Sequence, residues 1–181
     1  MIDSPSPPQA FHLPAALGAE GIALRSETDS DVPFLQALYA STRAFELNLA
    51  TDWSEAQKWA FILSQFAAQR LHYRRYHPDA SFEVIERNGM PIGRLYLEVS
   101  ETRLDVIDIA LMPEWRGQRL GTALLRALIE TAHTRKLGVG IFVEKYNPAL
   151  RLYQRLGFAH IADAEVYLEM EWRSSQANVA Q

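Results

Sequence analysis

The chain contains no cysteine, which removes disulfide frameworks, thiol nucleophiles and thiolate metal sites from consideration. It lacks any apolar run of bilayer-spanning length, and its first residues do not show the basic-then-apolar pattern of a secretory signal. A cytoplasmic protein with no membrane partner is the simplest expectation. Positive charge is not in excess either: the formal charge is −4 and the pI about 5.7. Nucleic acid is therefore not an expected partner. The five histidines form no HExxH or HxxxH pair, and no GxSxG, GxGxxG or P-loop pattern occurs. No metal site is expected. What remains is 181 residues with 48% hydrophobic content, enough for one domain with a core.

The informative stretch runs from Asp105 to Phe158. Val106-Ile107-Asp108-Ile109-Ala110-Leu111 is an apolar, partly β-branched run of strand length. Beyond Met112-Pro113-Glu114-Trp115-Arg116-Gly117-Gln118-Arg119, the residues Leu120, Ala123, Leu124, Ala127, Leu128 and Thr131 recur at steps of three and four, as on a helix with one buried face. A strand thus enters a helix through a tight loop. The first N–H groups of such a helix are unpaired, and its dipole adds partial positive charge. With Gly117 and Gly121 allowing close approach and Arg116 and Arg119 adding charge, the loop suits a diphosphate. An ordinary strand-to-helix connection with solvated arginines has the same local sequence.

The remaining elements follow from period and punctuation. Residues 1–21, with four of the nine prolines, read as a flexible tail; packing as an irregular arm is the alternative, since Phe11, Leu13 and Leu17 are apolar. Ile22 to Arg25 is a short strand, with a helix from about Val32 to Glu46 behind the capping oxygens of Thr28 to Asp31. Asp52-Trp53-Ser54-Glu55 has capping-box spacing and opens a long amphipathic helix to about Tyr76. The run Arg70 to His77 mixes bases with aromatics, which fits either a solvated helix end or a stacking surface for nucleic acid. Ser81 to Glu86 and Pro91 to Val99 form a hairpin around Asn88-Gly89, and the next strand spans about Arg103 to Leu111. Val139 to Glu144, Ala159 to Asp163 and Glu165 to Trp172 complete the strands. Residues 173–181 read as a second tail.

After Val139 to Glu144 comes Asn147, then Leu152-Tyr153 and Leu156-Gly157-Phe158. Together with Arg116-Gly117-Gln118-Arg119-Leu120-Gly121, this resembles the GNAT superfamily of acetyl-CoA-dependent N-acetyltransferases. The resemblance covers Ile22 to Trp172. It implies an α/β (α+β) fold in one domain over residues 22–172: a mixed, mostly antiparallel sheet of about seven strands, flanked by helices and splayed between the fourth and fifth.

The resemblance also implies acetyl-CoA as cosubstrate and a small-molecule or peptide amine as acceptor, with homodimers a common arrangement. The cofactor's diphosphate would rest on the loop from Arg116 through Gly117, Gln118, Arg119, Leu120 and Gly121 to Thr122. Its arm would run beside backbone groups of Ile109 and Leu111 and meet Asn147. Tyr153 stands where the family places the tyrosine that protonates the departing sulfur, and a tyrosine bonded to a backbone carbonyl is the plainer alternative. Asp105 stands where several members place the carboxylate that takes the amine proton, and Asp108 is its competitor. Simple alternation puts the two aspartates on opposite faces of the strand. Arg119 occupies a position usually held by glycine. That departure leaves open a domain that binds acyl-CoA as a sensor without turnover.

Overall fold

The computed structural model describes residues 11–174; residues 1–10 and 175–181 of the expected tails lie outside them. Seven strands form one sheet: β1 (Ile22–Ser26), β2 (Ser81–Arg87), β3 (Met90–Val99), β4 (Arg103–Leu111), β5 (Gly138–Glu144), β6 (Ala159–Ala164) and β7 (Tyr167–Trp172). Their order is β1-β2-β3-β4-β5-β7-β6, and the described pairs are antiparallel except β4 with β5. The helices are α1 (Ala15–Ala19), α2 (Val32–Thr42), α3 (Ala44–Leu49), α4 (Glu55–Tyr76), α5 (Leu120–Thr134) and α6 (Leu150–Arg155). No helix among the described residues is long and apolar enough to cross a membrane.

Two apolar clusters cover the two faces of the sheet. The larger joins Leu104, Val106, Val139, Ile141 and Met170 of the sheet to Leu124, Leu125 and Leu128 of α5 and to Tyr153 of α6. The smaller holds Leu35, Leu38 and Tyr39 of α2 against Ile62 and Phe66 of α4, with Ala110 packed on it from β4. Residues 11–21, expected as tail, pack instead: Phe11 is 1% exposed, and Leu17 of α1 joins the larger cluster. Burial of two large apolar side chains is ample reason for this segment to be held.

Local chemistry sets the boundaries. Asn88 (φ 51°) and Gly89 (φ 79°) turn the β2–β3 hairpin through left-handed backbone. Helix α4 starts two residues later than its first capping signal, because the reciprocal bonds run between Ser54 and Gln57 rather than Asp52 and Glu55. The helix expected from Val32 to Glu46 breaks at Arg43 (φ −104°, ψ 7°), which ends α2 and precedes α3. Arg70 and Arg74, from the basic run on α4, both pair with the buried carboxylate of Glu27.

Candidate active site

Strands β4 and β5 pair from Arg103↔Gly138 to Val106↔Ile141 and then part. The departure coincides with a bulge. Tyr96 of β3 faces Asp108 while Leu97 faces Val106, so Ile107 is an extra residue on β4. Such an insertion bends the strand and resets its alternation. Val106 and Ile109 consequently both face the larger cluster, whereas Asp108 and Ala110 face α2 and α4. The expectation from regular alternation fails here. Asp105 and Asp108 share the α4 side of the sheet, separated along the strand by roughly 10 Å at about 3.3 Å per residue.

Between the parted strands lies a cleft of about 170 Å³, lined on β4 by Val106 to Ala110, on β5 by Ile141 to Glu144, and elsewhere by Thr42, Arg43, Gln69, Tyr73, Arg94, Asn147, Tyr153 and Tyr167. Asp108 is in this lining and Asp105 is not. Asp105 lies where β4 and β5 are still paired, opposite Gly140, and accepts Arg103 at 2.8 Å. Burial raises its carboxyl above the ordinary value and Arg103 opposes that rise. A Cβ at Gly140 would come within 2.5 Å of the Asp105 Oδ1 and 2.8 Å of the Arg103 Nε, so a larger residue there would have to displace the Asp105–Arg103 pair.

Asp108 is fixed by two neighbours. Arg94 Nη2 of β3 donates to its Oδ2 at 2.6 Å, and the Tyr73 hydroxyl of α4 donates to the same oxygen at 3.0 Å. Arg94 is only 3% exposed and also donates to Gln69 Oε1 at 3.0 Å, while its Nε has no partner among the described residues. Burial opposes the charge on Arg94, yet Asp108 together with the phenols of Tyr96 and Tyr73 outweighs it and the guanidinium stays cationic. This network escaped sequence reading. Its one signal is an arginine inside the apolar strand Pro91 to Val99, because a charge in such a strand requires a facing counter-charge.

Tyr153 reaches the cleft from α6 and is 5% exposed. Its phenol makes no hydrogen bond among the described residues, so the backbone-carbonyl alternative does not apply. Burial raises its pKa, as does the charge of Asp108, and the group is protonated at neutral pH. The helix ends at Gly157, whose φ of 89° suits glycine, and Phe158 N–H returns to the Tyr153 carbonyl at 3.1 Å. The phenylalanine ring then packs 5.8 Å from the tyrosine ring. Asn147 Oδ1 accepts from Ala149 N–H at 2.9 Å, shaping the turn that starts α6.

Beyond the end of β4 the backbone N–H groups from Gly117 to Thr122 make no hydrogen bond among the described residues; the first bond of α5 is Ala123 N–H to the Arg119 carbonyl at 2.9 Å. Six consecutive free donors at a helix start form an anion nest. A Cβ on Gly121 would meet only Leu111 Cδ1, at 3.9 Å, so its space opens away from the protein. The arginines divide. Arg119 is exposed and left-handed (φ 67°), which explains why glycine is the easier residue there. Arg116 is committed to the fold: Nε donates to the Leu111 carbonyl at 2.7 Å and Nη2 to Ser41 Oγ at 2.7 Å. Gln118 likewise donates its side-chain amide to the Glu114 carbonyl. Ile109 and Leu111 pack their side chains on the larger cluster, leaving the β4 backbone beyond Val106 without a β5 partner.

A family model described as "Acetyltransferase (GNAT) family" matches residues 35–158. A Bacillus subtilis (strain 168) protein named as a candidate [ribosomal protein bS18]-alanine N-acetyltransferase is 32% identical over 84 residues, which cover 45% of this chain and 55% of that protein. An uncharacterised N-acetyltransferase of Methanocaldococcus jannaschii is 27% identical over 160 residues, covering 81% of this chain and 65% of the relative. The chain thus spans less than two thirds of the length of either. Among solved structures, the PaiA N-acetyltransferase of Thermoplasma acidophilum in complex with coenzyme A superimposes with a TM-score of 0.61 at 19% identity, covering 84% of this chain and 99% of that one.

Proposed function

The chain belongs to the acetyltransferase (GNAT) family, and from that premise we propose that it transfers an acetyl group from acetyl-CoA to a primary amine by direct attack, with both substrates bound together. One observation carries the reading: where β4 and β5 part, a buried tyrosine with a free hydroxyl and a fixed carboxylate share one cleft.

Acetyl-CoA supplies an activated acyl carbon and a thiol leaving group. The residues suit it. The N–H groups from Gly117 to Thr122 would hold its diphosphate, with Arg119 adding charge from the rim and Arg116 holding the loop shape rather than the phosphate. The unpaired β4 edge at Ile109 and Leu111 and the turn at Asn147 would guide its arm, although the Leu111 carbonyl is already used by Arg116. For the amine proton, Asp108 replaces Asp105 as the acceptor, because it alone of the two lines the cleft. The new C–N bond forms as Asp108 takes that proton. Tyr153 then gives its proton to the sulfur as the C–S bond breaks, and solvent returns Asp108 and Tyr153 to their starting states. The B. subtilis relative's name, with its alanine amine, supports an amine acceptor of amino-acid or peptide type.

The test is free-thiol release over a panel of amines, with calorimetric titration of CoA alongside. Tyr153→Phe is expected to lower turnover on the order of a hundredfold while CoA affinity holds within about threefold; unchanged turnover would remove Tyr153 from the acid role. Because burial keeps the phenol protonated, the wild-type turnover profile should show no alkaline limb from Tyr153 up to about pH 10. Arg119→Gly relieves a left-handed strain of about 1 kcal/mol and removes one rim charge. Its CoA affinity should fall by less than about tenfold at low salt, and the difference should vanish in high salt. A salt-independent loss would mean that the guanidinium makes a buried contact.

A further inference from the structure

The mouth of the cleft carries an ion pair that the proposed chemistry does not use. Arg43, at the break between α2 and α3, places Nη1 2.8 Å from Oε1 of Glu144, the last residue of β5. The pair joins the helical wall of the cleft to its strand wall, and both residues line the space that holds Asp108 and Tyr153.

The two partners are held unequally. The Arg43 guanidinium lies 5.7 Å from the Tyr39 ring and 3.3 Å from Glu46, both on its own side of the cleft. The Glu144 carboxylate forms its ion pair with Arg43 alone among the described residues, and it precedes an exposed turn in which Tyr146 is 98% accessible. When the pair parts, Arg43 therefore stays in place and Glu144 swings to water. Parting is easy, because neither side chain is deeply buried, at 28% and 35% exposed.

Charge in the lining is balanced. Arg94 and Arg43 face Asp108 and Glu144, and the inner pair is already satisfied at 2.6 Å. A cleft for a polycation would carry an excess of acid, and one for a simple alkylamine would have no use for a second, solvent-reachable guanidinium. We infer that Arg43 is a specificity-determining residue that binds a carboxylate carried by the acceptor, and that Glu144 occupies that carboxylate's place until the acceptor arrives. The acceptor is then an amine of the amino-acid class. This rests on the reading that the acceptor amine enters this cleft.

The experiment pairs acceptors that exchange the carboxylate for an amide, compared at equal concentration of free amine because the exchange also lowers the amine pKa: L-alanine with L-alaninamide, and β-alanine with its amide. Each is titrated into the CoA-loaded protein and assayed for thiol release with acetyl-CoA. The carboxylate-bearing member should bind and turn over at least about tenfold better. Arg43→Gln should raise KM for that member about tenfold with kcat unchanged and the amide unaffected, and Arg43→Lys should recover part of the loss. Glu144→Gln should lower KM for the carboxylate-bearing member only. Equal use of both members, or an Arg43→Gln effect that is the same on both, overturns the assignment while leaving acetyl transfer standing. Carboxylate-selective binding that depends on Arg43, without thiol release from any amine, keeps the assignment and removes the acetyl-transfer reading.

Discussion

Gly121→Glu is expected to abolish CoA binding while the protein stays folded. A side chain at this position meets no protein atom nearer than 3.9 Å from its Cβ. A carboxylate in the first turn of α5 is moreover favourable to the helix, so the melting temperature should hold or rise slightly. The same carboxylate would stand over the free N–H groups from Gly117 to Thr122, where the diphosphate is proposed to sit. Like charges so placed cost several kcal/mol, and 2.8 kcal/mol is already about a hundredfold in affinity. Calorimetric titration should therefore show CoA affinity at least about a hundredfold weaker than in the wild type. Wild-type affinity in a folded variant would place the cofactor elsewhere on the molecule.

Asp108→Asn should combine a loss of turnover with a loss of stability, and the two are separable. The asparagine can still accept one hydrogen bond, but it leaves the nearly fully buried Arg94 without a counter-charge. Uncompensated buried charge of this kind costs about 2–3 kcal/mol after the retained hydrogen bond. For a chain of this size that is a melting temperature lower by roughly 4–12 °C. Below that temperature the folded variant should bind CoA normally and turn over on the order of a hundredfold or more slowly, since the group proposed to take the amine proton is gone. Asp105→Asn serves as comparison, and its turnover should stay near the wild type. If Asp105→Asn were the slower of the two, the proton would leave by the other carboxylate.

Much of this fold was legible because its signals are local. Asn88-Gly89 favours a tight turn between two strands, and the apolar run that ends at Leu111 coincides with β4, Arg103–Leu111. The motif Leu156-Gly157-Phe158, informative only through the family resemblance, lies just past the end of α6 in the structure. The candidate site was legible in its parts and not in its arrangement. Alternation assigns faces on the assumption that every residue of a strand is paired, and so puts the two aspartates on opposite sides, whereas Ile107 is unpaired. Arg116 read as a phosphate ligand because charge is visible in sequence, whereas the Leu111 carbonyl and Ser41 that occupy it are visible only after folding. The bonds that fix Asp108 come from Tyr73 and Arg94, 35 and 14 residues away, and no local pattern reports contacts at that range.

The short pairing of β4 with β5 has a mechanical consequence. The described sheet is two antiparallel blocks, β1 to β4 and β5-β7-β6, stitched along a seam of four facing pairs from Arg103↔Gly138 to Val106↔Ile141. Past the seam β4 continues from Ile107 to Leu111 as a lever of roughly 16 Å at about 3.3 Å per residue. A rotation of about 5° between the blocks would move its far end by roughly 1.4 Å, more than the roughly 1 Å misplacement that can cost a hundredfold in rate. The seam is stiffened from beneath by Leu104, Val106, Val139, Ile141 and the α5 leucines, which belong to one cluster crossing both blocks. Methyl groups beneath the seam, from Leu104 and Val139 to the cleft-lining Val106 and Ile141, thereby set its width, and repacking them would register in catalysis before it registered in folding.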